Sequence, residues 1–156
     1  MDKQEAVKQF MRAAGQDVPM YLTEPNVPTR RLRVKLIAEE LAEFAAASGI
    51  SITITMNQDY VGGDFDRIRS DDIKKPRGVF EAQTDAADAL GDLLYVAYGA
   101  AVAWGIEIDP VLEEIHRSNM TKFIDGHKRE DNKWVKGPSY TPANVRAVLE
   151  GQNARR

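Results

Sequence analysis

The segment from about Phe80 to Trp104 constrains this chain more than any other. It reads as one long helix closed by Gly105, and Leu90, Leu93, Leu94 and Val96 mark it as largely buried. Yet it carries Asp85, Asp88 and Asp92 at i, i+3 and i+7, within about 60° of one another around the helix axis. No lysine or arginine occurs between Arg77 and Arg117, so these aspartates lack a local cation. Acids on one stripe of a buried helix are costly unless a partner neutralises them. A bound divalent cation is an economical partner, and a second acid-bearing helix would complete an oxygen cage around it.

That second helix is legible. Glu39, Glu40 and Glu43 lie in the run IAEELAEF. Positions 40 and 43 are within about 60° of each other and 39 and 43 within about 40°, so all three carboxylates can point into one small volume. Clustered oxygen donors suit hard cations such as Mg²⁺ or Mn²⁺. A solvated, ion-paired helix face is the alternative, and it fits Glu39 best because Lys35 lies four residues earlier.

The remaining elements frame an all-α bundle of four to five helices. The first runs from Lys3 to Ala14, with Val7, Phe10, Met11 and Ala14 on one face and Gly15 as its stop. A connector with Pro19, Pro25 and Pro28 leads to Thr29, the expected cap of a second helix reaching Ser48, with Gly49 at its C-terminal end. Leu32, Leu36, Ile37, Leu41 and Phe44 mark its buried side. Asp109–Pro110 opens a helix to Thr121, and Thr141–Pro142 a short one ending near Glu150. Residues 50–78 interrupt the pattern. Ile50, Ile52, Ile54 and Met56 alternate with polar residues, and Gly62–Gly63 offer a turn, which predicts an inserted β-hairpin or loop. The expected organisation is one helical domain over 1–150 and a flexible tail over 151–156.

Composition narrows the function. With 21 basic and 24 acidic side chains the net charge is −3, which argues against binding nucleic acid. Absence of cysteine excludes disulfides, thiolate zinc sites and thiol nucleophiles. The longest apolar-rich stretch, Leu93 to Trp104, falls short of the ~20 residues that cross a bilayer, so no membrane is expected and the setting reads as cytoplasmic. Glu113 and His116 form a single E-x-x-H, where di-iron bundles need two. The run Thr29 to Lys35 reads as a solvated basic face or a phosphate attractor. Lys122, Lys128, Arg129, Lys133 and Lys136, in a loop with Gly126 and Gly137, suggest a polyphosphate substrate beside the acidic cage.

In order along the chain, EELAE, DALGDLLYVAYGAAVAWGI, HRSNMTK, and DG with a lysine-rich turn leading into YTPANV resemble the MazG-like all-α nucleoside triphosphate pyrophosphohydrolases. That superfamily also holds dimeric dUTPases and phosphoribosyl-ATP pyrophosphohydrolase. The resemblance runs from about Phe10 to Glu150, outside 50–78. It implies a homodimer or homotetramer that hydrolyses a nucleoside triphosphate (dUTP, dGTP/GTP or a mixed pool) to the monophosphate and pyrophosphate.

The family motif is E-E-x-x-E on one helix and E-x-x-D on the next. Glu39, Glu40 and Glu43 match the first, and Asp92 matches the last aspartate. Ala89 stands where the family has the second motif's glutamate, so Asp88, about 40° from Asp92, is the expected substitute. The resemblance thus assigns Glu40, Glu43, Asp88 and Asp92 to Mg²⁺ (or Mn²⁺), and Glu39 to positioning or deprotonating water. Asn119 and Lys122 resemble residues that contact the nucleotide sugar and phosphates, and Lys133 or Lys136 supplies a second clamp. Tyr140 either packs that turn or touches substrate. Tyr60, Phe65 and Trp104 are the aromatics that could stack a base, against a packing or assembly role. Ala89 also keeps open a non-catalytic, nucleotide-binding regulator of the same fold.

Overall fold

The computed structural model describes residues 1–56 and 66–155. Among them the order is α1 (Lys3–Ala13), α2 (Val27–Ala47), β1 (Thr53–Met56), β2 (Asp66–Arg69), a 3-10 turn (Ser70–Asp72), α3 (Val79–Ala103) and α4 (Ile108–Met120). A single turn α5 (Lys122–Asp125), β3 (His127–Lys128), β4 (Trp134–Val135) and α6 (Val145–Ala154) complete it. The expected all-α fold with a small β insert is what forms. α2 and α3 make the most extensive helix pair, α1 lies against α3, and α4 packs on α6 and α5.

The helix starts differ from expectation for local reasons. Asn26, not Thr29, caps α2: its side-chain oxygen accepts the Thr29 N–H at 2.9 Å. Pro28 therefore falls in the first turn, where a missing N–H costs nothing. α4 begins at Ile108, while the Asp109 carboxylate accepts the Tyr98 hydroxyl at 2.7 Å instead of capping. α6 is capped by Asn144, which accepts from Ala147 N–H at 3.1 Å. Thr141, the expected cap, is engaged elsewhere: its carbonyl accepts from Ser118 and its N–H donates to Thr121.

The tail expected from Gly151 onward is instead helical as far as Ala154. Gln152, 1% exposed, is the reason. Its amide accepts the Glu107 N–H at 3.1 Å and donates to the Glu107 carbonyl at 2.7 Å. Gln4 of α1 does the same one residue either side, donating to the Ile106 carbonyl at 2.6 Å and accepting the Ile108 N–H at 2.9 Å. Two buried glutamines thus satisfy the backbone of the α3–α4 connection, where polar groups could not otherwise be buried.

The core corrects the expected burial. Val7 and Met11 pack with Val102. α2 buries Ala38, Ala42, Ala45 and Ala46 rather than its large residues; Leu32 and Leu41 are exposed. α3 likewise buries Ala89, Gly99, Ala101, Val102 and Ala103. Small faces let the two helix axes approach closely, which leaves the larger side chains at the flanks. α3 is not largely buried in the single chain: Leu94 is 62% exposed, and Leu90 and Tyr95 are also open. Its length corrects another expectation. α3 spans 25 residues with a mean hydropathy of 1.2 over its most apolar window, enough by length and composition to cross a membrane. In the fold that helix is instead laid against α1 and α2.

The inserted segment forms the expected hairpin. β1 and β2 are antiparallel, pairing Thr53 with Arg69, Ile54 with Ile68 and Thr55 with Arg67. The Ser70 hydroxyl, fully buried, donates to the Ile50 carbonyl and accepts the Ile52 N–H, tying the ribbon's base. The ribbon and the 3-10 turn lie against α2. Tyr60, Gly62, Gly63 and Phe65 lie outside the described residues.

Candidate active site

The pairing of α2 with α3 brings acids of both helices into one electrostatic neighbourhood. Burial pushes the Glu40 carboxyl above its usual range, and the negative charges of Glu43, Asp92, Glu39 and Asp88 push it further. Asp85, the third member of the aspartate stripe, is not among those neighbours. Ala89 is buried at 3% exposure, whereas Asp88 and Asp92 are exposed. Glu39 lies 3.8 Å from the Lys35 ammonium, the i,i+4 pair read from sequence.

All five donors are carboxylate oxygens that repel one another, which is the chemistry a hard divalent cation relieves. Among the described residues, no three acidic or histidine side chains already stand together as a metal shell. A cation would gather them by rotamer changes, and Glu43, Asp88 and Asp92 are exposed enough for that. The donor set therefore fits Mg²⁺ or Mn²⁺ in kind.

Sequence reading missed the other wall. A cleft of about 370 Å³ is lined by Glu39, Glu40 and Glu43 of α2 and, from the ribbon, by Arg67 and Arg69. The signal was present in Asp66-Arg67-Ile68-Arg69, where alternate residues share a strand face. The ribbon lies against α2, with Ile54 and Ile68 half-buried and Arg67 and Arg69 exposed at the cleft.

None of the expected nucleotide contacts is among the residues that line the cleft of the glutamates. Asn119 and Lys122 touch each other, the ammonium donating to the amide oxygen at 2.6 Å. Lys136 lies 4.1 Å above the Tyr140 ring. A Ser118 hydrogen bond, then Lys136 and Lys122, hold the Tyr140 phenol below its ordinary value against the opposing effect of desolvation. Asn119, Lys122 and Lys136 therefore form their own group at the α4–β4 end, with Tyr140 packed into it. Lys133 sits at the start of β4, its backbone carbonyl paired with Arg129. Glu113 and His116 line a cleft with Asn119, Tyr98 and Asp109, away from the acid cluster.

The basic run before the acids is not simply a solvated face. Arg30 pairs with Glu24. Arg33 is 7% exposed, and burial lowers its pKa. Its one donated bond goes to Gln16 at 2.6 Å, and its Nε has no partner among the described residues.

A helical bundle whose two paired helices both bring carboxylates near Glu40 suits chemistry on a cation-bound anionic substrate. The sequence profile of the phosphoribosyl-ATP pyrophosphohydrolase family matches residues 6–119, and the chain belongs to that family. Membership implies a pyrophosphohydrolase of the nucleotide-pyrophosphatase type. The match spans both acid-bearing helices and the ribbon between them. No curated protein matches the chain.

Proposed function

We propose that the protein is a cytoplasmic, divalent-cation-dependent nucleoside triphosphate pyrophosphohydrolase, working as a homodimer or homotetramer of the MazG-like type. One observation supports this reading: the charges of Glu43, Asp92, Glu39 and Asp88 all act on Glu40, and the three glutamates line an open cleft. Glu40, Glu43, Asp92 and Asp88 would hold the cation, Mg²⁺ or Mn²⁺. When bound, such an ion neutralises phosphate oxygens and acidifies a water.

Glu39, already at the cleft, accepts the proton of the attacking water as its oxygen bonds to the α-phosphorus. The bond from that phosphorus to the bridging oxygen breaks, and pyrophosphate leaves with the electron pair. Lys35 must release Glu39 for that role, and their 3.8 Å separation, with both side chains about 40% exposed, makes this a weak tie. Asn119, Lys122, Lys133 and Lys136 act on the nucleotide from a second copy, a role supported by none of them lining the glutamate cleft of their own chain. The uncovered Leu90, Leu94 and Tyr95 of α3 are the apolar surface such a copy would cover.

The test is a panel of NTPs, dNTPs and phosphoribosyl-ATP with Mg²⁺ or Mn²⁺, with products separated by chromatography. Monophosphate plus pyrophosphate supports the reading and identifies the base. Diphosphate plus phosphate keeps the site but moves the bond attacked. A second reading, a nucleotide-binding regulator, is favoured by one feature: buried Ala89 where the motif has a carboxylate. Binding without any turnover would establish it.

A further inference from the structure

Arg67 and Arg69 sit two residues apart on β2, on the ribbon face they share with Thr55 and Thr53. They line one cleft with the three glutamates and with Ile68, Asp72 and Ile73. Cations placed there merely to balance the acids would close to ion-pair distance. They do not. Arg69 is tied at 3.0 Å to Asp71, which the Ser51 hydroxyl holds at 2.7 Å. Arg67 forms no ion pair among the described residues. A cleft of about 370 Å³ thus brings two arginines together with Glu39, Glu40, Glu43 and Asp72.

A ligand filling that space must offer anionic oxygens to the arginines and a cation to the acids. A metal-chelated polyphosphate does both, and guanidinium groups grip phosphate in bidentate fashion. We propose that Arg67 and Arg69 are the binding subsite for the β- and γ-phosphates, and so for the leaving pyrophosphate. This deepens the pyrophosphohydrolase reading and rests on it. The chemistry explains the need: charge builds on the leaving group as the anhydride opens, and α3 offers no cation anywhere along its length. Asp71 presets Arg69, so less side-chain freedom is lost on binding.

The experiment titrates inorganic pyrophosphate with Mn²⁺ into the full chain by calorimetry, comparing the parent with Arg67→Gln, Arg69→Gln and Arg67→Lys. Each glutamine variant should weaken pyrophosphate binding by about tenfold or more, with lysine restoring part of it. Mn²⁺ binding without pyrophosphate, read by electron paramagnetic resonance, should be unchanged, and circular dichroism should show the same helix content. With nucleotide, kcat/KM should fall in parallel. Pyrophosphate binding as tight in both glutamine variants as in the parent would overturn the subsite. So would a hydrolysing parent that binds no pyrophosphate, although the enzyme reading would then survive. Arginine-dependent binding in a protein that turns over no nucleotide supports the subsite and defeats the enzyme reading instead.

Discussion

At the scale of single residues, the exposed acids and the buried arginine make opposite predictions. Glu43 and Asp92 are exposed on their helices, so alanine at either removes mutual repulsion and supplies a better helix former. Glu43→Ala and Asp92→Ala should keep the helical spectrum while turnover falls by roughly 10²–10³-fold. Full activity in either variant would remove that residue from the site. Among the described residues, Arg33 is a buried guanidinium with one hydrogen bond and an Nε that has no partner. Arg33→Met should be neutral or stabilising, by up to about 2 kcal/mol in urea unfolding, because a desolvated charge is replaced by packing. Gly105 behaves differently again. It sits at φ +67°, and a β-carbon there would meet the Tyr21 carbonyl oxygen at 2.0 Å. Gly105→Ala should cost roughly 2–4 kcal/mol, the sum of left-handed backbone strain and overpacking.

At the scale of elements, α4 is tied to the start of α6 by hydrogen bonding to a carboxylate as well as by packing. The Glu114 carboxylate takes two bonds from Arg117 and one from the Asn144 N–H, which depress its pKa to about 2. A carboxylate whose folded pKa lies below its unfolded value of 4.5 contributes stability above that value and loses it as the pH falls towards 2. The urea midpoint should therefore decline between about pH 5 and pH 2, and Glu114→Gln should flatten that decline. An unchanged slope in the variant would show that the clamp contributes nothing. At the other end of α6, ending the chain after Glu150 removes Gln152 and leaves both polar groups of Glu107 without that partner. The expected loss is roughly 2–4 kcal/mol, read by the same unfolding measurement.

At the scale of the whole molecule, the open face of α3 and the separation of acids from lysines point to assembly. Leu94, 62% exposed on a helix of this apolarity, is the residue whose replacement should show it. Leu94→Glu should reduce the mass measured by light scattering to that of one chain while the helical spectrum persists. If the parent is itself a single chain at high micromolar concentration, the proposed homo-oligomer is wrong. A cation bound at the acids adds a second whole-molecule effect. Mn²⁺ at a hundredfold excess over its Kd contributes about 2.7 kcal/mol, or about 5–10 °C in the melting temperature of a chain this long.

The separate parts of the fold were legible in the sequence because they depend on short-range spacing. The 3.6-residue period fixed the helices, glycines such as Gly49 and Gly105 marked their ends, and alternation at Ile52, Ile54 and Met56 marked a strand. The same period predicted that Glu39, Glu40 and Glu43 share a face and that Asp88 and Asp92 share another. Tertiary structure decided what those faces meet. It chose alanine rather than leucine for the α2–α3 contact, since close approach rewards small side chains, and so left Leu94 uncovered. It placed Gln4 and Gln152 on one stretch of backbone from opposite ends of the chain. It brought Arg67 and Arg69 into one cleft with acids more than twenty residues earlier. No local pattern encodes such meetings, because they arise from the path the chain takes between elements and not from the elements themselves.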